Sequence, residues 1–111
     1  MRKLVVLTLV VCFASAAQAE WQLLDDDGIR LALTDRRLQY PNATQQFYAS
    51  GLTLYNAGQD SWGYWRAEGG QYCSQWPPSD LWACYDMQRS GQRVRFVGEQ
   101  GDITVGVYVD D

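Results

Sequence analysis

From residue 41 onward this chain cannot run far in one direction. Turn-forming residues recur at short intervals: Pro41-Asn42, Ser50-Gly51, Ala57-Gly58-Gln59-Asp60, Glu68-Gly69-Gly70, Pro77-Pro78-Ser79-Asp80, Ser90-Gly91-Gln92 and the stretch 98–102. Between them apolar and polar residues alternate with a period of two, the pattern of half-buried strands. Parallel neighbours need long crossovers, and these turns leave no room for one. The expected fold is therefore mainly β, an antiparallel meander of about eight short strands. Such a meander forms a small barrel or a strongly bent sheet, because closure removes exposed edges. The second choice is an open sheet packed on a helix.

One stretch breaks the pattern. Residues 20–36 carry the one helical signal, with Asp25, Asp26 and Asp27 placed to cap a first turn. Ile29, Ala32 and Leu33 then share a face, so the short helix is expected to lie across one opening of the sheet. A calcium-binding reading of the three aspartates fails, since the alternating oxygen ligands and terminal glutamate of such loops are missing. Within the strands, Leu38 and Tyr40 alternate with polar residues, and Phe47, Val94 and Phe96 are expected to face inward. In segment 62–66, Trp62 and Tyr64 fall on one side and Gly63 and Trp65 on the other. Trp65 and Trp82 are expected in the core, and Ile103, Val105, Val107 and Val109 on the inner face of the last strand.

Cys73 and Cys84 flank the Pro77-Pro78 turn, with strand-like residues on both sides. Paired, they close a short loop and remove about 3 kcal/mol of freedom from the unfolded chain. The spacing is not C-x-x-C, and no histidine is present to complete a metal shell. A structural disulfide is expected. It agrees with residues 1–19, which have the form of a signal peptide: Arg2 and Lys3, an apolar run from Leu4 to Ala14, and Ala17-Gln18-Ala19 before Glu20. That run is too short to span a bilayer, and Val11 beside Cys12 is wrong for lipoprotein processing. The expectation is a periplasmic or secreted protein, with residues 20–111 forming one domain and no membrane anchor after cleavage. Without Arg2 and Lys3 the formal charge falls from −4 to −6. That sign opposes nonspecific binding to nucleic acid or anionic membranes.

The absence of histidine excludes Ser-His-Asp and Cys-His catalysis. Lys3 is the sole lysine, so Schiff-base chemistry is absent from the mature chain, and no Gly-rich phosphate loop appears. Carboxylates remain. Glu68, Asp80 and Asp86 lie near the aromatic stretch and would make a glycosidase if two faced each other. The favoured reading is the ordinary one, with Glu68 and Asp80 as turn residues and Asp86 a solvated or arginine-paired strand residue. Arg66, Arg89, Arg93 and Arg95 could gather an anion, or simply cover solvated strand faces.

Residues 62–86 hold four of the five tryptophans, and rings of this size either fill a small core or form a platform. Alternation puts them on both faces of the sheet. The candidate binding residues are Trp76, Pro77, Pro78, Tyr72 and Trp62. A proline cannot donate to a central strand, so the chain must leave the sheet at Trp76-Pro77-Pro78.

The run G-Y-W-R-x-E-G-x-x-Y-C-S-Q-W-P-P-S-D-x-W-x-C-Y-D, with the later R-F-V-G and G-D-I-T-x-G-x-Y, resembles a group of small exported proteobacterial proteins. The motif marks a family and implies no particular chemistry. More remotely, one disulfide on a small exported barrel is similar to periplasmic inhibitors of bacterial metalloproteases. That likeness implies an N-terminal segment free to enter a protease cleft, here residues 20–24. The functional expectation is a non-enzymatic exported binding domain without cofactor or metal, taking a protein partner or a small ligand. An inhibitor of an exported hydrolase is the second reading, and a carboxylate-based hydrolase the third.

Overall fold

A computed structural model describes residues 3–6, 8 and 20–109. Most of the expected leader, with Arg2, Cys12 and the 17–19 cleavage site, lies outside the described residues. Eight strands follow one another around a barrel: β2 (Arg36–Tyr40), β3 (Ala43–Phe47), β4 (Leu52–Asn56), β5 (Asp60–Glu68), β6 (Gln71–Gln75), β7 (Trp82–Ser90), β8 (Arg93–Val97) and β9 (Ile103–Tyr108). Each pairs antiparallel with the next, and β9 returns to β2 through Leu38↔Tyr108 and Gln39↔Val107. The meander is closed. Continued, that register sets Pro41 opposite Val105, and a residue without an N–H ends the seam there.

A two-residue strand, β1 (Gln22–Leu23), was not expected. It pairs with Arg89 and Gln88 of β7, beyond the point where the shorter β6 has ended. Helix α1 (Asp26–Leu33) follows and plugs the adjacent end of the barrel. Asp25 caps it, its carboxylate accepting the Gly28 N–H at 2.8 Å. Ile29, Ala32 and Leu33 enter the bore and are fully buried. Three bonds fix the plug to the wall. Tyr108 donates to the Ala32 carbonyl at 2.7 Å, Arg30 donates to the Ala67 carbonyl at 3.1 Å, and the Asp26 carboxylate accepts the Gly70 N–H at 2.7 Å. Around the plug, Leu38, Phe47, Met87 and Val94 complete a dry core in the closed half. Burying one side chain of this size is worth about 1.5–3 kcal/mol.

Cys73 and Cys84 sit directly opposite each other on β6 and β7, with Cα atoms 4.0 Å apart, and form a disulfide. Their side chains lie on the outer face, and this corrects one expectation. Trp82, two residues before Cys84, must share that face. It is half-buried outside the barrel with the Arg66 guanidinium 4.0 Å above its ring, while Trp65 is in the core as expected.

The last strand corrects another. Thr104, Gly106 and Tyr108 have the inward parity, while Ile103 is 55% and Val107 42% exposed. Tyr108 must point in to reach α1, and a shift of one residue exchanges the faces of a whole strand. Gly106 fits because the bore is already occupied there: an added Cβ would lie 2.9 Å from the Tyr40 ring. The valines suit a strand backbone whichever face they occupy.

Two outcomes are expected. Ile29→Asp puts a carboxylate into the plugged end and should destabilise the whole domain by more than about 3 kcal/mol. Hydrogen exchange checks this, since protection of the β5 and β6 amides should fall with that of α1; unchanged strand protection would mark the helix as detachable. Replacing Cys73 and Cys84 together by serine should cost about 2–5 kcal/mol in a denaturant melt. Peptide mapping of the unreduced protein should find neither thiol free.

Candidate functional site

The other end of the barrel is not plugged. A cavity of about 610 Å³ opens there, between the turns at 41–42, 57–59, 76–81 and 98–102. Its walls are rings from five strands: Tyr40, Tyr55, Tyr72, Tyr85 and Phe96. They lean on one another, with Tyr72 and Phe96 centroids 4.9 Å apart and Tyr40 and Tyr55 6.2 Å apart. Both pairs are tilted, at 55° and 35°, and so avoid the unfavourable face-to-face sandwich.

Between this cavity and the dry core lies a polar layer. Gln45 is 6% exposed, and its carbonyl oxygen accepts the Tyr40 hydroxyl at 2.7 Å. Its amide nitrogen donates to Thr53 Oγ1 at 3.0 Å and to the Tyr72 hydroxyl at 3.3 Å. The Thr53 hydroxyl donates in turn to the Gln46 carbonyl at 2.8 Å. Three of the amide's four hydrogen-bonding positions are thus engaged, which is how a buried glutamine becomes tolerable. Ser74, also buried, accepts the indole N–H of Trp76 at 3.2 Å.

The rim is organised by Trp76. The chain leaves β6 at this residue, and the indole folds back over Gly63 of β5. A Cβ at Gly63 would lie 2.6 Å from the Trp76 ring and 2.7 Å from the Gln75 carbonyl, so the glycine makes the space the tryptophan fills. Trp76 also meets Tyr55 edge to face at 6.0 Å. Ser61, Trp62, Pro77, Asp102 and Thr104 complete the mouth.

Of the candidate binding residues, Trp62, Tyr72, Trp76 and Pro77 line this one cavity. Tyr72 lies deep in it, and Trp76 is half-buried at its rim. Trp62 stands at the mouth, 52% exposed, with its ring stacked on Tyr48. Pro78 is exposed and is not among the lining residues.

The three candidate carboxylates do not gather. Glu68 pairs with Arg66 at 2.9 Å, Asp86 accepts from Gln71, and Asp80 lies in the 76–81 turn. None of the four arginines enters the cavity: Arg66 lies over Trp82 and Arg89 over Tyr108, while Arg93 and Arg95 share the ring of Trp21. Among the described residues no group of three or more His, Cys, Asp or Glu is placed to hold a metal.

Sequence reasoning did not single out Gln45, Tyr55, Asp102 or Thr104 for the site. For Gln45 a signal existed. It shares parity with Phe47, and a glutamine at an inward position of a strand needs polar partners inside. Asp102 and Thr104 carried no comparable signal, because the last strand was expected in the opposite parity. Comparison with protein-family models, curated proteins and solved structures finds no match to the chain.

Burial governs the titration of the cavity's phenols. Tyr72 is pushed up to about 12 by desolvation, partly offset by hydrogen bonds with Ser74 and Gln45. Tyr40 is raised further by burial and by the neighbouring Tyr72 and Tyr55. An unfolded tyrosine ionises near pH 10, so the contribution of Tyr72 to stability is complete below about pH 10 and lost as pH rises to about 12. Stability should therefore fall with rising pH across that window. Denaturant melts check this, since Tyr72→Phe should show a smaller fall; an identical fall in both proteins would contradict it.

Proposed function

We propose that this protein is a non-catalytic binding domain that takes a small ligand into the open end of its barrel. One observation carries the reading: a barrel plugged and dry at one end keeps a cavity of about 610 Å³ at the other. That volume lies in the range of small-molecule sites, about 300–1,000 Å³, and eight-stranded barrels have a bore suited to one such ligand. The lining fits as well, with mostly apolar rings and a few placed polar groups. Most of the walls belong to paired strands, so a ligand meets a site that needs little reordering.

An exported location fits this reading. The leader pattern of residues 1–19 and the disulfide of a small domain both support it. Among the described residues no helix is long and apolar enough to cross a membrane. The inhibitor reading asks for a free segment at residues 20–24. Gln22–Leu23 instead pair with β7, and the Leu24 N–H is bonded to the Met87 carbonyl. The hydrolase reading asks for two facing carboxylates, and Glu68, Asp80 and Asp86 lie outside the cavity.

N-phenyl-1-naphthylamine, an uncharged probe that brightens in apolar surroundings, tests the proposal. It should bind the protein saturably and quench tryptophan emission. Thr104→Trp, an exposed mouth position, should weaken binding by at least about tenfold, or 1.4 kcal/mol, with the circular dichroism unchanged. Absence of saturable binding, or equal binding by the variant, would reject the cavity as the site.

A further inference from the structure

The arginines of this barrel keep away from its open end, where only carboxylates carry charge, and its cavity is built from rings. We infer that the cavity takes an organic cation, a ligand with an alkylated ammonium head seated among the rings and facing Asp102. This rests on the cavity reading above and narrows it to a class of ligand.

The lining decides the sign of the charge. Among the described residues that line the cavity, Asp102 is the one acidic side chain, and no arginine joins it. Its carboxylate has no hydrogen-bond or ion-pair partner in the described structure. The turns around the mouth add Asp80 and Glu99, and β5 begins there with Asp60. The seven arginines after residue 19 lie on α1, at the strand ends nearest it, or on the outer face. An anionic ligand would find no positive side chain in the cavity and a negative field at its entrance. A cation would be drawn toward the same entrance.

The rings decide the kind of cation. Seven aromatic side chains line the cavity, and an aromatic face attracts a positive charge without needing a hydrogen-bond donor on the ligand. This protein uses that attraction elsewhere. Arg36 and Arg89 lie over Tyr108, Arg66 over Trp82, and Arg93 and Arg95 over Trp21. Each of those rings lies outside the cavity, so no guanidinium in these pairs occupies a cavity ring.

The polar floor narrows the choice again. Gln45 is engaged with Tyr40, Tyr72 and Thr53, and Ser74 with Trp76. A hydroxyl-rich ligand reaching that floor would compete with those bonds, while the hydroxyls of Tyr55, Ser61, Tyr85 and Thr104 stand outside the network. An alkylated ammonium demands little hydrogen bonding and spreads its charge over methyl groups that pack against rings. Tyr40 and Tyr72 stay neutral at physiological pH, so the walls supply ring faces and no phenolate charge.

The test compares two molecules of one shape, benzyltrimethylammonium and its uncharged carbon analogue neopentylbenzene, as competitors of N-phenyl-1-naphthylamine. The cation should bind at least about tenfold more tightly than the analogue. Asp102→Asn should weaken the cation by about fivefold or more and leave the analogue unchanged, and added salt should weaken the cation alone. If the analogue displaces the probe as well as the cation does, the charge assignment is overturned and the cavity reading stands. Asp102→Asn holding the cation as tightly as the original protein also overturns the assignment. If neither molecule displaces a bound probe, the assignment falls. If the probe itself fails to bind, the cavity reading falls with it.

Discussion

An eight-stranded barrel has a bore that side chains can just fill or that can hold one small ligand, so it is either filled or left as a cavity. In this molecule α1 decides which. Ile29, Ala32 and Leu33 enter from one end and reach only part of the way. Beyond them the strands supply rings that line the bore without closing it. Core and cavity are therefore two halves of one interior, and the depth of the helix sets the border between them.

The border is chemical as well as spatial. Below it lie Leu38, Phe47, Met87 and Val94, which ask for no hydrogen bonds. At it lies Gln45, whose amide accepts the Tyr40 hydroxyl and donates to Tyr72, itself also bonded to Ser74. A leucine at that position would leave the Tyr40 hydroxyl without this partner in the floor. The glutamine thus lets phenols stand in the cavity at small cost, and phenols give rings whose distal atoms remain polar. Trp76 repeats the arrangement at the rim, with its indole N–H answered by Ser74 and its ring accommodated by Gly63.

Much of this was legible in the sequence because its cause is local. Turn residues such as Pro41, Gly51 and Gly91 fix where strands stop, and short turns fix who pairs with whom. Asp25 and the Ile29–Leu33 spacing announced the capped plug, and Cys73 and Cys84 their own pairing. The failures share a non-local cause. Whether Val105 or Thr104 faces inward depends on Tyr108 reaching a carbonyl of α1, seventy-six positions away. Trp82 lies outside because Cys84 must meet Cys73 across the outer face of two strands. β1 is two residues of otherwise unremarkable sequence, held by a vacancy on β7 that exists only because β6 is shorter. The site was legible in part for the same reason. Trp76 and Pro77 were visible as a break in a strand, while Asp102 and Thr104 become neighbours of Tyr40 only when the barrel closes.

That closure sets the order in which the molecule can assemble. From β2 to β9 every successive pair is a hairpin made by nearby residues, and such contacts form early. Two pairings span the chain instead, β1 with β7 and β2 with β9, and α1 lies between β1 and β2. Seating the helix in the bore brings the strands of both long-range pairings together, and these pairings carry the largest loop-closure cost. Until then the protein is an open, twisted sheet with β2 and β9 as bare edges, and Ile103, Val105 and Val107 stand along one of them. An exposed apolar edge is the feature that lets one chain add to another. The species most prone to self-association is thus the nearly finished barrel, one seam short of closing.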